Sequence, residues 1–445
     1  MTRTRSRTAA IAATLLCFVP LLARADADTD KRMAAMEARI TQLEDKLATS
    51  QKTIDEQSAL LKAQATPAVS AGSEPGKLDA FLNTVQINGY VAASYEYQFN
   101  NPDNPIFANA ANQFNLDHNT FNLDGVKLEL MRPATNPGDA GFQIDLLFGD
   151  NGGILGGYRF TQGAPSNTGV YLQDMYVSYN WNDVLLKLGQ WETLLGYEVI
   201  DSVQNKNITQ GLLFTYAIPL VHTGLQASGK IGGSESAFGW AAAVVNGWNN
   251  PTDTNDNKGL LAQLNYSSGP LTTAFSTYYG ADGNTGFAGQ PVKTPSTAPA
   301  IVLDWTATFT ANELLTFWAN ADWGLQKNVA FVSGPNTGQV LDATWYGLAL
   351  GTQFTLSDKS SIAVRGEFLK DAQGYRILTG DNTSAYSLTG TYAYKLTSNL
   401  LTRAEFRYDG LTTTGNTDNA FFPSGRGPGS SRDYQGIVQM AYLFD

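Results

Sequence analysis

The sequence predicts an all-β transmembrane antiparallel barrel of about sixteen strands, preceded by a short α-helical coiled-coil segment. Three observations lead there. Apolar and polar residues alternate at period 2 from residue 85 to the C-terminus; the connections between the alternating segments sort by parity into short and long; and an apolar three-four repeat without Gly or Pro comes before them. The chain divides accordingly into 1–25, 30–64, 65–84 and 85–445.

Residues 1–25 read as a secretory signal peptide. Arg3, Arg5 and Arg7 lead an apolar run from Ala9 to Leu22, which ends on the small-x-small site Ala23-Arg24-Ala25. The run is too short to cross a bilayer as a helix. The single cysteine, Cys17, lies inside it, so the mature chain is expected to offer no thiol nucleophile, thiolate ligand or disulfide. Removing Arg3, Arg5, Arg7 and Arg24, and no acid, takes the net charge from −11 to −15. Such a balance argues against nucleic acid as a partner.

From residue 30 to 64 strong helix formers carry Met33, Met36, Ile40, Leu43 and Leu47 at a and d positions, and the register continues through Ser50, Ile54, Gln57 and Leu61. With Ser50 and Gln57 polar at d, the segment reads either as a periplasmic oligomerisation stalk or as one amphipathic helix lying on another surface. The Pro-, Ala- and Ser-rich stretch 66–75 is a linker.

The first barrel strand sets Val85, Ile87, Val91, Tyr95 and Phe99 on one face and Gln86, Asn88, Ser94, Glu96 and Gln98 on the other, with Tyr90 and Ala92 out of pattern. The same period marks 121–131, 141–149, 171–181, 184–191, 222–231, 237–247, 259–267, 271–279, 301–310, 314–325, 343–356, 361–370, 384–396, 400–409 and 434–444. If 121–131 or 222–231 were loops, the count would fall by two. A soluble sandwich alternates as well, but it does not sort its loops by parity. Here Asn182-Asp183, Ser268-Gly269-Pro270 and Ala311-Asn312-Glu313 follow even-numbered strands, whereas 100–120, 150–170, 281–300 and 410–433 follow odd-numbered ones. That is the pattern of an outer-membrane barrel with short periplasmic turns and long outer loops. Aromatics near strand ends (Tyr95, Tyr97, Trp181, Trp191, Tyr278, Tyr279, Trp305, Trp323, Tyr392, Tyr394, Tyr442) fit interfacial girdles.

With Leu188-Gly189-Gln190-Trp191-Glu192-Thr193, Gly196-Tyr197-Glu198 and the stretch PLVHTG from Pro219 to Gly224, the chain resembles the OmpL-like β-barrel porins, also called β-barrel porin type 2. More distantly it is similar to carbohydrate- and phosphate-selective outer-membrane porins. The resemblance implies a Gram-negative outer-membrane porin passing small hydrophilic solutes and ions, closed as a homotrimer. Val438, Met440, Tyr442 and Phe444 are similar to the signal read by the barrel-insertion machinery, although Asp445 follows the terminal aromatic.

A barrel this wide encloses water unless something fills it. The connection 192–221 carries apolar runs that no solvated loop requires, and its position resembles the loop that classical porins fold inward. If it folds in, Glu192, Glu198, Asp201 and Lys206 narrow the pore; otherwise it packs outside against a neighbouring subunit or as a lid. On the opposing wall Arg365, Lys395, Arg403, Glu405 and Arg407 point inward, since a basic residue facing mid-bilayer lipid costs roughly 2–4 kcal/mol. They either set a transverse field or neutralise one another in ion pairs. Counted over all lumen positions, acids and bases are too even to give an ion preference.

Catalysis is not expected. His118 and His222 are the only histidines, and no Ser or Asp partner can be assigned to either by spacing. No cofactor or metal is expected either: the oxygens of 249–257 (NNPTDTNDN) lack the ordered ligand spacing of a calcium loop and read as a solvated turn. The partners are membrane lipid, small solutes and further copies of the chain. The alternative function is a non-conducting barrel that serves binding, adhesion or envelope structure.

Overall fold

The computed structural model describes residues 81 and 83–445 apart from 104–110, 157–168, 254, 282–291, 294–296, 332–334, 415–429 and 445. The expected signal peptide, the coiled coil and all but a few residues of the linker lie outside the described residues.

In chain order the strands are β1 (Gln86–Gln98), β2 (Thr120–Arg132), β3 (Ala140–Phe148), β4 (Val170–Trp181), β5 (Val184–Glu192), β6 (Val221–Lys230), β7 (Phe238–Val245) and β8 (Gly259–Ser268). They continue as β9 (Leu271–Gly280), β10 (Ala300–Asn312), β11 (Leu315–Phe331), β12 (Val340–Ser357), β13 (Ser360–Asp371), β14 (Thr383–Lys395), β15 (Leu400–Thr413) and β16 (Arg432–Phe444). Each pairs antiparallel with its sequence neighbours, and β1 pairs both with β2 and with β16, from Gly89↔Phe444 to Gln98↔Gln435, closing a sixteen-stranded barrel. A two-residue strand, Val292–Lys293, adds to the upper edge of β11. Two short helices, α1 (Asp150–Leu155) and α2 (Leu212–Tyr216), interrupt the long loops. β11 and β12 run further than the expected 314–325 and 343–356, because their pairing continues past Gln326↔Ala343 to Val329↔Leu341 and Ala330↔Val340.

Loop parity holds around the ring. One end carries 133–139, 182–183, 231–237, 269–270, 313–314, 358–359 and 396–399, with Gln86 and Phe444 beside them; the long loops leave from the other. In the two-residue turn both Asn182 (φ 49°) and Asp183 (φ 70°) are left-handed, the geometry whose twist matches that of the flanking strands. At the closing pair, a Cβ on Gly89 would stand 2.1 Å from the Lys127 carbonyl oxygen and 2.7 Å from the Phe444 ring, so only glycine fits.

The pleat sends alternate residues to opposite faces. On β15 Arg403, Glu405, Arg407 and Asp409 are buried, while Phe406 is exposed; on β12 and β13 Leu348, Leu350, Val364 and Phe368 are exposed. The apolar face therefore points out. Substituting Leu350, which faces outward midway along β12, by Arg is expected to cost about 2–4 kcal/mol in the lipid-embedded protein. Unfolding from vesicles in urea measures it, and an effect indistinguishable from zero would mean that this face does not meet lipid.

Trp181, Tyr279, Trp305, Trp323, Tyr392, Tyr394 and Tyr442 are exposed outward, as girdle residues must be, but Trp191 and Tyr278 are buried inside the barrel. Tyr278 and Tyr279 are adjacent, so the pleat can place only one of them outside. The other packs against His222 at 5.7 Å and Trp248 at 5.6 Å between ring centroids. The largest apolar cluster accordingly lies within the barrel, built from wall residues such as Trp318, Trp345 and Leu369 and from Leu195, Ile200, Leu212, Leu213, Phe214 and Ile218 of the segment between β5 and β6.

Candidate functional site

The segment 193–220, called here the inner loop, runs through the lumen and bonds to the wall on several sides. It leaves β5 with the Leu194 carbonyl accepting from Gln263 Nε2 and Ser276 Oγ, both at 2.9 Å, on β8 and β9. The Tyr197 N–H donates to Asn320 Oδ1 (3.1 Å), and the Tyr197 ring stacks on Trp318 of β11 with centroids 4.4 Å apart and planes 6° from parallel. Asn205 then closes a turn by donating to the Val199 carbonyl (2.8 Å) and accepting from the Val199 N–H (3.0 Å).

Inside that turn the 3-10 stretch Ser202–Gln204 meets the seam where the barrel closes. Asp201 accepts from Tyr90 Oη of β1 (2.8 Å) and pairs with Lys127 Nζ of β2 (2.5 Å), which also pairs with Asp145 of β3 (2.8 Å). Ser202 Oγ accepts from Gln439 Nε2 of β16 (3.3 Å).

Next to the seam, β13 and β15 grip the loop with three arginines and a glutamate. Arg403 donates to the carbonyls of Ser202 (3.0 Å), Asn205 (3.2 Å) and Asn207 (3.3 Å). Glu405 accepts from the N–H groups of Ile208 (2.5 Å) and Thr209 (3.0 Å) and from Thr209 Oγ1 (2.6 Å). Arg407 donates to the Gln210 carbonyl (2.5 Å) and pairs with Asp409 (2.8 Å). Arg365 donates to the Thr209 carbonyl (2.7 Å), is ion-paired to Glu198, and stands 3.0 Å from a Glu367 oxygen. Arg365 and Arg407 have no exposed surface at all. The loop returns to β6 through the Ala217 carbonyl, which accepts from Trp345 Nε1 (3.0 Å), and through Asn249 Oδ1, which accepts from the N–H groups of Leu220 (2.6 Å) and Val221 (3.1 Å).

Where α2 begins, the Gly211 N–H donates to Glu198 Oε2 (2.7 Å), and a Cβ there would lie 2.1 Å from a Glu367 carboxylate oxygen. Gly211→Ala is expected to displace the loop or Glu367 and cost about 1–3 kcal/mol by overpacking. The readout is the urea midpoint, and no change would mean that Glu367 swings aside freely.

Residues 84–444 match the family described as "Putative beta-barrel porin-2, OmpL-like". The chain belongs to that family. No curated protein matches it. Among solved structures, this porin-2 barrel is similar to the outer-membrane channel DcaP of Acinetobacter baumannii (12% identity, 81% of this chain and 97% of that one, TM-score 0.53). It is similar also to an anion-selective porin from Comamonas acidovorans (10%, 81% and 99%, 0.54) and to Salmonella typhi OmpF in complex with daunomycin (10%, 81% and 97%, 0.51). At these identities the likeness is one of fold.

In the porin-2 barrel the residues singled out from the sequence fall into three groups. Glu198, Arg365, Arg403, Glu405 and Arg407 meet in the loop seat, in contact with the loop rather than across a water gap from it. Glu192 and Asp201 belong to the β1–β5 side, where Gln173 donates to both and the Glu192 N–H donates to Asp174 (2.9 Å). Lys206 and Lys395 stand apart from either group, at the short-turn end, and line a cavity of about 330 Å³ with Asp358, Lys359, Ser361 and Arg403. Two further cavities open at that end, one of about 500 Å³ between Asp183 and Lys230 and one of about 400 Å³ beside Lys127 and Glu129.

Tyr90, Gln173, Trp318 and Gln439 also hold the loop, and of these only Tyr90 is marked in the sequence, as a break in the alternation of β1. Both ring nitrogens of His222 are engaged in anchoring, 3.1 Å from Thr193 Oγ1 and 3.1 Å from the Gly247 carbonyl. In the candidate calcium turn, Asp253 is paired to Lys258 and accepts the N–H groups of Asn255 and Asp256, both at 2.9 Å. The bond from Lys258 and those N–H groups hold the Asp253 carboxyl below the usual range.

Proposed function

We propose that this outer-membrane porin of the porin-2 family passes small hydrophilic solutes and ions by passive diffusion, as a homotrimer, through a lumen narrowed by the inner loop, with residues 30–64 forming a periplasmic helix. The observation that carries this reading is the loop itself: a sixteen-stranded barrel is too wide for its own side chains to fill, and here an ordered segment occupies the excess width. Glu192, Glu198, Asp201, Lys206, Arg365, Lys395, Arg403, Glu405 and Arg407 act on the pore in two ways. Those in the seat, with Glu192 and Asp201 on the β1–β5 side, fix the position of the loop, and Lys206 and Lys395 set the charge at the mouth.

The same wall-to-wall anchoring favours the second reading, a barrel that conducts nothing and serves binding or envelope structure. Planar-bilayer recording separates the two. Small ohmic steps are expected from the native protein, and steps several-fold larger from a variant in which a short Gly-Ser turn replaces 193–220. A silent native protein beside a conducting loop-free variant would establish the second reading.

A further inference from the structure

The three cavities at the short-turn end differ in charge. The cavity between Asp183 and Lys230 carries one base and one acid, and so does the one beside Lys127 and Glu129. The third, of about 330 Å³, is lined by Lys206 of the inner loop, Lys359 of the β12–β13 turn, Lys395 of β14 and Arg403 of β15, against the single acid Asp358. Nothing within it offsets the excess. Arg403 is buried, spends its donors on three backbone carbonyls, Ser202 Oγ and Gln439, and has the buried carboxylates of Glu405 and Asp124 near enough to attract it, so the unopposed charge of the cavity is that of its three lysines. Among the described residues, Lys206, Lys359 and Lys395 form no ion pair. The whole chain has a net charge of −11, so a pocket with four bases and one acid is a local arrangement and not an echo of the composition.

The other groups at this cavity suit an oxygen-rich solute. The hydroxyls of Thr355 and Ser361 supply neutral donors around the bases, while Gln353 donates to Ser361 Oγ (3.1 Å) and the Ser357 and Ser360 hydroxyls bond each other (2.7 Å). Lys359 and Lys395 are exposed and Lys206 is half-buried, so the site opens to water; several like charges around a concave mouth still raise the local concentration of counter-ions. Rings of Lys and Arg are how pores select anions and phosphate.

We propose that this cavity is a binding site for a small polyvalent oxyanion, a phosphate or a polycarboxylate, held between the inner loop and the β12–β15 wall at the periplasmic mouth. The proposal rests on the porin reading to the extent that it names the class of solute that dwells in the pore. Because Lys206 belongs to the inner loop and Lys359 and Lys395 to the wall, the bound anion bridges the two and ties loop position to occupancy.

Isothermal titration of the full-length protein in detergent with inorganic phosphate, citrate and uncharged maltose tests the site without requiring conduction. Phosphate or citrate, but not maltose, is expected to bind, and whichever binds tighter distinguishes phosphate from polycarboxylate. Affinity is expected to fall roughly tenfold or more in Lys206→Gln/Lys359→Gln/Lys395→Gln, and to fall with added salt. Asp358→Asn, which removes the one opposing charge, is expected to tighten binding, a gain that misfolding cannot imitate. Absence of anion binding, or affinities unchanged in both variants, overturns the proposal. Lysine-dependent binding by a protein that is silent in planar bilayers would uphold the site and sink the porin reading; a conducting channel with no lysine-dependent binding would do the reverse.

Discussion

Arg365→Met is expected to lower the stability of the folded barrel by about 3–5 kcal/mol, the cost of stranding a buried charge. Arg365 is fully buried and joins β13 to the inner loop at two points, the Glu198 carboxylate and the Thr209 carbonyl, while standing beside Glu367. Methionine fills the volume but leaves Glu198 facing Glu367 without a cation between them. The deficit should shrink as pH falls and Glu198 takes up a proton, since the protonated group no longer carries the unpaired charge. Adding Glu198→Gln should restore much of the loss by removing the same charge chemically. Urea unfolding in vesicles, run at neutral and acidic pH, measures all three. A loss under about 1 kcal/mol, the scale of an exposed pair, would mean that water reaches this pair and the loop is not seated as described.

Lys127→Met is the second large effect, about 3–5 kcal/mol, and acts on the far side of the β1–β16 seam from Arg365. One ammonium is shared by Asp145 of the wall and Asp201 of the loop, both nearly devoid of exposed surface. Without it two buried carboxylates face each other, and Asp201 keeps only neutral donors such as Tyr90 and Gln173. The 3-10 turn should then leave its seat, so limited proteolysis within 199–206 of the otherwise folded barrel is the companion readout. Lys127→Met/Asp201→Asn should regain protection, because the amide can still bond Tyr90. If the double variant is cleaved as fast as the single one, the turn is held by something other than this charge.

The architecture was legible because its signal is local. Period-2 alternation and loop parity need only neighbouring residues, and they gave all sixteen strands, the face of each arginine on β13 and β15, and the end at which both termini of the barrel lie. What lies opposite an inward charge is not local. Arg403 and Arg407 had to point into the lumen, yet only the folded chain shows that carbonyls of residues 202–210 meet them there and not a water-filled gap. Neutralising these arginines is therefore expected to disturb the seat of the loop before it alters any transverse field.

The neutral residues of the seat, Gln173, Gln439 and Trp318, carry no mark in sequence that separates a lumen contact from a solvated position. Trp191 and Tyr278 have the composition and strand-end position of girdle aromatics, and neither feature reveals to which face the pleat turns a residue. Lys359 lies in a two-residue turn and carries no mark of a site; its neighbours across the mouth come from the inner loop and from β14 and β15.

Asp201 and Ser202 are consecutive, and one is held by Tyr90 of the first strand while the other is held by Gln439 of the last. A closed sheet has one join that the chain does not make covalently, and here that join is bolted from within by a segment drawn from mid-chain. Parting β1 from β16 must also pull the bolt, so the place where a barrel would most easily unzip sideways is cross-braced against it.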